Sequence, residues 1–169
     1  TKEDEGRTVL SILRREFLCS ESHISRLKRR ETGLLLNGAR CYATARVGAG
    51  DLLSFEIGDM PDDHIVPMEY PLDVVYEDED LLIIDKPAGI SVHQSTRDPA
   101  ELTLENAVCY YLGGGINPHP VSRLDRGTSG LMTFAKSGYL HERLRRQMHT
   151  EDYARVYLGV AVGRVDPPD

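Results

Sequence analysis

Over the first 58 residues the apolar positions come in short runs whose spacing changes from helical to alternating. In Val9-Leu-Ser-Ile-Leu-Arg-Arg-Glu-Phe-Leu18, Leu10, Leu13, Phe17 and Leu18 share one helical face and predict a first helix. Ser20-Glu-Ser-His-Ile-Ser25 offers serine caps for a second, Ile24–Arg30, whose polar face is almost entirely cationic. Leu34-Leu-Leu-Asn-Gly38 reads as a strand entering an Asn-Gly hairpin turn, and Val47–Ile57 as a glycine-rich turn followed by an alternating strand.

The stretch 59–71 holds three prolines in thirteen residues without periodicity and predicts a linker. Beyond it the pattern predicts strands at Leu72–Tyr76 and Leu81–Ile84, and a helix capped by Thr103 that runs to Tyr111 and ends at Gly113–Gly115. A buried strand Gly130–Ala135, a helix capped by Ser137 with Leu140, Leu144 and Met148 in line, and a strand Tyr153–Val162 complete the reading. Strands outnumber helices and rarely alternate with them, so the fold class is α+β with a mixed, mainly antiparallel sheet.

Composition adds little until charge is placed along the chain. An apolar share of 40% with 28% charged residues is ordinary for a globular protein. No apolar run is long enough to span a bilayer, and the first residues lack a signal peptide's core, so no membrane partner and a cytoplasmic location are expected. Three widely spaced cysteines suggest neither a disulfide framework nor a zinc site. The six histidines show no metal-ligand spacing, so no metal site is expected, and Gly113–Gly115 lacks the lysine of a phosphate loop and reads as a helix terminator.

The net charge of −7 argues against a polyanionic partner only as an average. From Arg14 to Arg46 there are 8 Lys/Arg against 3 Asp/Glu, from Asp51 to Glu105 2 against 15, and from Arg123 to Arg155 7 against 4. Screening limits the reach of exposed charges to roughly 10 Å, so local field decides where a polyanion docks, and two basic segments remain open to one.

The richest stretch for chemistry is Val121-Ser-Arg-Leu-Asp-Arg-Gly-Thr-Ser-Gly-Leu-Met132, a polar loop running into an apolar strand with Asp125 between Arg123 and Arg126. Neighbouring arginines favour the ionised carboxylate that a nucleophile requires. On chemistry alone, a structural Arg–Asp pair pinning the turn is the commoner use of such a loop.

Arg123-Leu-Asp-Arg-Gly-Thr-Ser-Gly130 resembles the signature loop of the RluA-type pseudouridine synthases. Three further pieces resemble the family in its order: Glu77-Asp-Glu-Asp-Leu-Leu-Ile-Ile-Asp-Lys-Pro-Ala-Gly89, Ala135-Lys-Ser137 and Arg155-Val-Tyr157. Ser122 departs from the usual histidine and Asp85 from the usual asparagine.

The resemblance implies an isomerase that converts uridine to pseudouridine in structured RNA without metal or cofactor. Ribosomal RNA is favoured over transfer RNA, and the full-length enzyme is expected to be monomeric. It implies that Asp125 is the nucleophile, that Arg123 braces the space left by the flipped-out base, and that Tyr157 packs against the uracil. A flip costs a few kcal/mol, and a stacked base returns roughly 1–3 kcal/mol. Tyr157 also suits a plain strand core position.

The N-terminal unit resembles the alpha-L RNA-binding domain of ribosomal protein S-four, through its basic second helix, Leu36-Asn-Gly38 and Val47-Gly-Ala-Gly-Asp51. That resemblance implies phosphate contacts from Arg26, Lys28, Arg29 and Arg30, joined by Arg126 of the signature loop, although a basic run also suits a solvated face. The division expected is therefore 1–58 as a small α/β-hairpin RNA-binding domain, 59–71 as linker, and 72–169 as the front part of a catalytic domain. Family members continue past the Tyr157 strand, so the chain reads as part of a longer protein, with a non-catalytic RNA-binding piece as the alternative.

Overall fold

Polar caps and apolar stripes set the helices, and alternation sets the sheets. The computed structural model describes residues 2–59, 65–94 and 100–164. Helix α1 (Val9–Arg15) starts where the Thr8 hydroxyl accepts from Ser11 N, and α2 (Glu21–Arg29) where Ser20 accepts from His23 N. Helix α1 stops short of the predicted Leu18. That residue has φ 55, turning the chain so that Cys19 N donates to Leu13 O at 2.8 Å and Cys19 enters the core. The buried face is accordingly Val9, Ile12 and Leu13, while Phe17 is 36% exposed.

Strands β1 (Leu34–Leu36), β2 (Ala39–Arg40) and β3 (Leu53–Phe55) form an antiparallel sheet in the order β2-β1-β3. The β1–β2 turn takes positive φ at Asn37 and Gly38, as an Asn-Gly hairpin requires. Asn37 then ties the turn to the glycine-rich segment, donating to Asp51 Oδ1 and accepting from Leu52 N, while Asp51 Oδ2 accepts from Gly48 N. The core of this unit joins Val9, Leu13, Cys19, Ile24, Leu27, Leu34 and Ala43.

The second sheet has the order β4-β5-β7-β6, with every pair antiparallel: β4 (Asp73–Glu77), β5 (Leu81–Lys86), β6 (His119–Pro120) and β7 (Gly130–Ala135). On β5, Leu82, Ile84 and Lys86 point inward at the two-residue period; β7 answers with Met132 and Phe134. Helix α3 (Leu104–Tyr111) covers that face with Leu104 and Val108. Burying each such side chain contributes about 1.5–3 kcal/mol relative to exposure. Thr103 and Asn106 close a reciprocal capping box, and Asn106 Nδ2 donates to Val66 O at 2.8 Å. Part of the stretch predicted as linker is thus fastened to α3; residues 60–64 lie outside the described residues.

Helix α4 (Gly138–Gln147) begins at the Ser137 cap and joins the two units. Tyr139 packs on Phe55 and donates its hydroxyl to Phe17 O at 3.0 Å. Asp59 accepts from Gly138 N at 2.8 Å, pairs with His119 and lies 3.5 Å from the Arg26 guanidinium.

The predicted strand Tyr153–Val162 is not formed. These residues pair with no described strand, and Leu158, Val160 and Val162 are fully exposed. Alternation alone does not make a strand; a ladder partner is required, and neither sheet edge supplies one here.

Candidate active site

The signature loop hangs between β6 and β7, and its backbone is fixed from below by a buried cation. Lys86, at the end of β5, is 0% exposed. Its ammonium lies within hydrogen-bonding distance of four carbonyl oxygens, Thr128 O at 2.7 Å, Pro87 O at 3.0 Å, Asp125 O at 3.2 Å and Arg126 O at 3.4 Å, so one of its three N–H groups is shared. Burial draws its pKa below the ordinary lysine value, and the nearby Asp125 charge opposes that shift. A buried ammonium is tolerable only with such partners.

The loop is closed from the sides as well. Thr128 N donates to Asp125 O at 3.0 Å, forming a turn, and Gly89 N donates to Arg126 O at 2.7 Å. Arg126 Nε returns a bond to Gly89 O at 2.9 Å, and its Nη1 pairs with Glu101 at 2.8 Å. Gly130, opposite Lys86 in the sheet, has φ 136, a conformation that favours glycine.

Held this way, the Asp125 side chain stands exposed and makes no hydrogen bond or ion pair with the described residues. The arginines do not clamp it: Arg126 is turned to Glu101, and Arg123 is exposed and makes no ion pair with the described residues. Asp125 lines a cleft of about 490 Å³ with Arg123, Arg126, Leu124 and His93. Arg123 and His93 also line a second cleft of about 790 Å³, toward α4. His93 is oriented by Glu105 of α3, Nδ1 to Oε2 at 2.7 Å. The structure therefore brings Asp125, Arg123 and Arg126 into one neighbourhood.

Tyr157 is not brought there. It is 61% exposed on the unpaired segment and lines neither cleft. On α2, Lys28 and Arg29 are exposed, whereas Arg26 is engaged by Asp59 and Arg30 is turned back onto Glu56 and Gly58 O. Those two cations take part in holding the fold.

The loop-bracing role of Lys86 was hidden because Lys-Pro-Ala-Gly reads as a loop marker. The available signal was its register, since Leu82, Ile84 and Lys86 alternate inward. His93 carried no such signal, because its partner Glu105 lies on another element.

The profile of the RNA pseudouridylate synthase family matches residues 80–168. Over 131 residues the chain is 36% identical to "Ribosomal large subunit pseudouridine synthase D" of Yersinia pestis, covering 73% of this chain and 40% of that protein. Over 135 residues it is 33% identical to the protein of the same name from Escherichia coli K12, covering 78% and 41%. The chain thus spans about 40% of the length of these curated relatives. Among solved structures, "Human RNA Pseudouridylate Synthase Domain Containing 4" matches with TM-score 0.36 and 24% identity, covering 45% of this chain and 29% of that one. The matched residues contain both the Lys86 clamp and the Asp125 loop, and the chain belongs to the RNA pseudouridylate synthase family, in its RluA-type branch.

Proposed function

We propose that this chain carries the nucleophile-bearing part of an RNA pseudouridine synthase and acts on uridine through Asp125. The observation that supports this most directly is the exposed, unpaired Asp125 carboxylate on a loop whose backbone is clamped by Lys86. A fixed backbone with a free side-chain oxygen is the arrangement a nucleophile needs, because orientation is settled before substrate arrives.

In the reaction the carboxylate attacks either the sugar's anomeric carbon, expelling uracil N1, or the uracil ring. On either route the bond from N1 to the anomeric carbon breaks; the detached base rotates, its C5 bonds to the anomeric carbon as the bond to Asp125 breaks and frees the carboxylate, and the C5 proton leaves while N1 gains one. Nothing is oxidised or reduced, and no cofactor or metal is consumed. The uridine must first be unstacked, at a cost of a few kcal/mol. Arg123, which lines the cleft beside Asp125, braces the vacated space. Tyr157 is assigned to packing against the uracil, which requires its segment to move toward the cleft.

The N-terminal unit, 1–58, is read as an S-four-type RNA-binding domain, with Lys28 and Arg29 its freest cations on α2, and 72–169 as part of the catalytic domain. The relatives' names favour ribosomal RNA as the substrate. Tritium at uracil C5 must be lost in this isomerisation, so the test is its release from labelled ribosomal and transfer RNA by the 169-residue chain. Release greater with ribosomal RNA supports the reading. RNA binding with no release from either would instead favour a binding piece, as the displaced Tyr157 suggests.

A further inference from the structure

The two clefts meet at His93 and Arg123, so the larger one offers a continuous path for a strand whose target nucleotide lies beside Asp125. That larger cleft is bounded by α4, which carries Arg143, Arg145 and Arg146. Two of these are occupied within the protein. Arg143 lies over the Tyr139 ring and donates to its hydroxyl, and Arg146 pairs with Glu142 at 3.1 Å. Arg145 is exposed, has no hydrogen bond or ion pair with the described residues, and lines the cleft.

The surroundings suit an anion. Arg123 faces the same cleft, and Glu105, which also lines it, is paired with His93. Helix α4 is pinned at its start by Ser137 and by Asp59 on Gly138 N, so Arg145 is presented from a fixed element.

We propose that Arg145 binds a backbone phosphate of the RNA strand flanking the target uridine, setting the register in which that uridine reaches Asp125. This assignment rests on the reading of the protein as an RNA-modifying enzyme. A phosphate needs only a point charge at this place, and such contacts position a nucleic acid without reading its sequence.

The test is the affinity of the 169-residue chain for a short single-stranded RNA bearing one uridine, measured across a salt series. Arg145→Gln is expected to weaken binding roughly 3- to 10-fold at low salt and to reduce the slope of log affinity against log salt by about 0.7, the value for one single-strand phosphate contact. Arg145→Lys should restore most of the affinity, and Arg146→Gln should lose less than Arg145→Gln. On RNA with uncharged methylphosphonate linkages flanking the uridine, Arg145→Gln should cost nothing further. Wild-type binding accompanied by an unchanged slope in Arg145→Gln would overturn the assignment and leave the RNA reading standing. No RNA binding by the wild-type chain would overturn both.

Discussion

The Lys86 ammonium sits 3.2 Å from the backbone oxygen of Asp125, with Lys86 itself 0% exposed and the Asp125 side chain in solvent. A charge buried at the end of one strand thereby fixes the loop that leads into the next, and the side chain it presents is left free. Replacing Lys86 by Met keeps the length but leaves the carbonyls of Pro87 and Thr128 without the ammonium, and those of Asp125 and Arg126 with only the Thr128 and Gly89 amides. A loss of about 1–3 kcal/mol in stability is expected. Faster hydrogen exchange at the Thr128 and Gly89 amides should accompany it; unchanged protection there would show that the loop does not depend on the clamp.

Asp59 joins α2, β6 and α4 through Arg26, His119 and Gly138 N. Burial opposes its ionisation, but the hydrogen bonds from His119 and Gly138 and the positive charge nearby prevail and hold its pKa below the ordinary value. Asp59→Asn retains an acceptor for Gly138 N and discards the charge. Urea unfolding should register a loss of about 1.5–3 kcal/mol, the range for bonds to a charged group. A variant as stable as the parent would remove Asp59 from the account of how the units are joined.

Stability should fall on mild acidification. His23 is held below its ordinary pKa of 6.5 chiefly by burial, with the Arg26 charge adding to it, and His141 chiefly by burial, with His119 adding to it. Between those lowered values and 6.5 the unfolded chain binds more protons than the folded one, so stability rises with pH across that window. It is fully present above 6.5 and is lost as pH falls through the folded pKa values. Urea midpoints taken from about pH 7.5 down to about pH 5.5 should therefore decrease, and His23→Gln with His141→Gln should flatten the trend. The lowered carboxylates act below their ordinary values, 3.8 for Asp59 and 4.5 for Glu56 and Glu77, and do not confuse the window. A midpoint that rises on acidification would contradict the assignment.

The elements legible in the sequence were those with local causes. Ser20, Thr103 and Ser137 cap helices through bonds three residues away, and Asn37-Gly38 turns a hairpin through its own backbone preference. What was not legible depends on distant partners. Leu18 carries no mark that it will adopt φ 55, because the gain lies in burying Cys19. Tyr153–Val162 has the alternation of a strand but no described neighbour to pair with. Arg26 and Arg30 look as free as Lys28 until Asp59 and Glu56 are brought beside them. At the candidate site, Asp125, Arg123 and Arg126 were singled out through the family resemblance of the one loop that holds them; Lys86 and His93 were not singled out, because their partners come from other segments.

The central claim is that Asp125 is the nucleophile, and tritium release from uracil C5 in RNA by the parent chain beside Asp125→Asn tests it most directly. The side chain is exposed and makes no hydrogen bond or ion pair with the described residues, so the substitution keeps the shape and removes the attacking charge. Release by the parent with none above background from Asp125→Asn, at equal RNA affinity, is the result predicted. Release by Asp125→Asn at the parent's rate would contradict the account and transfer the chemistry to another group.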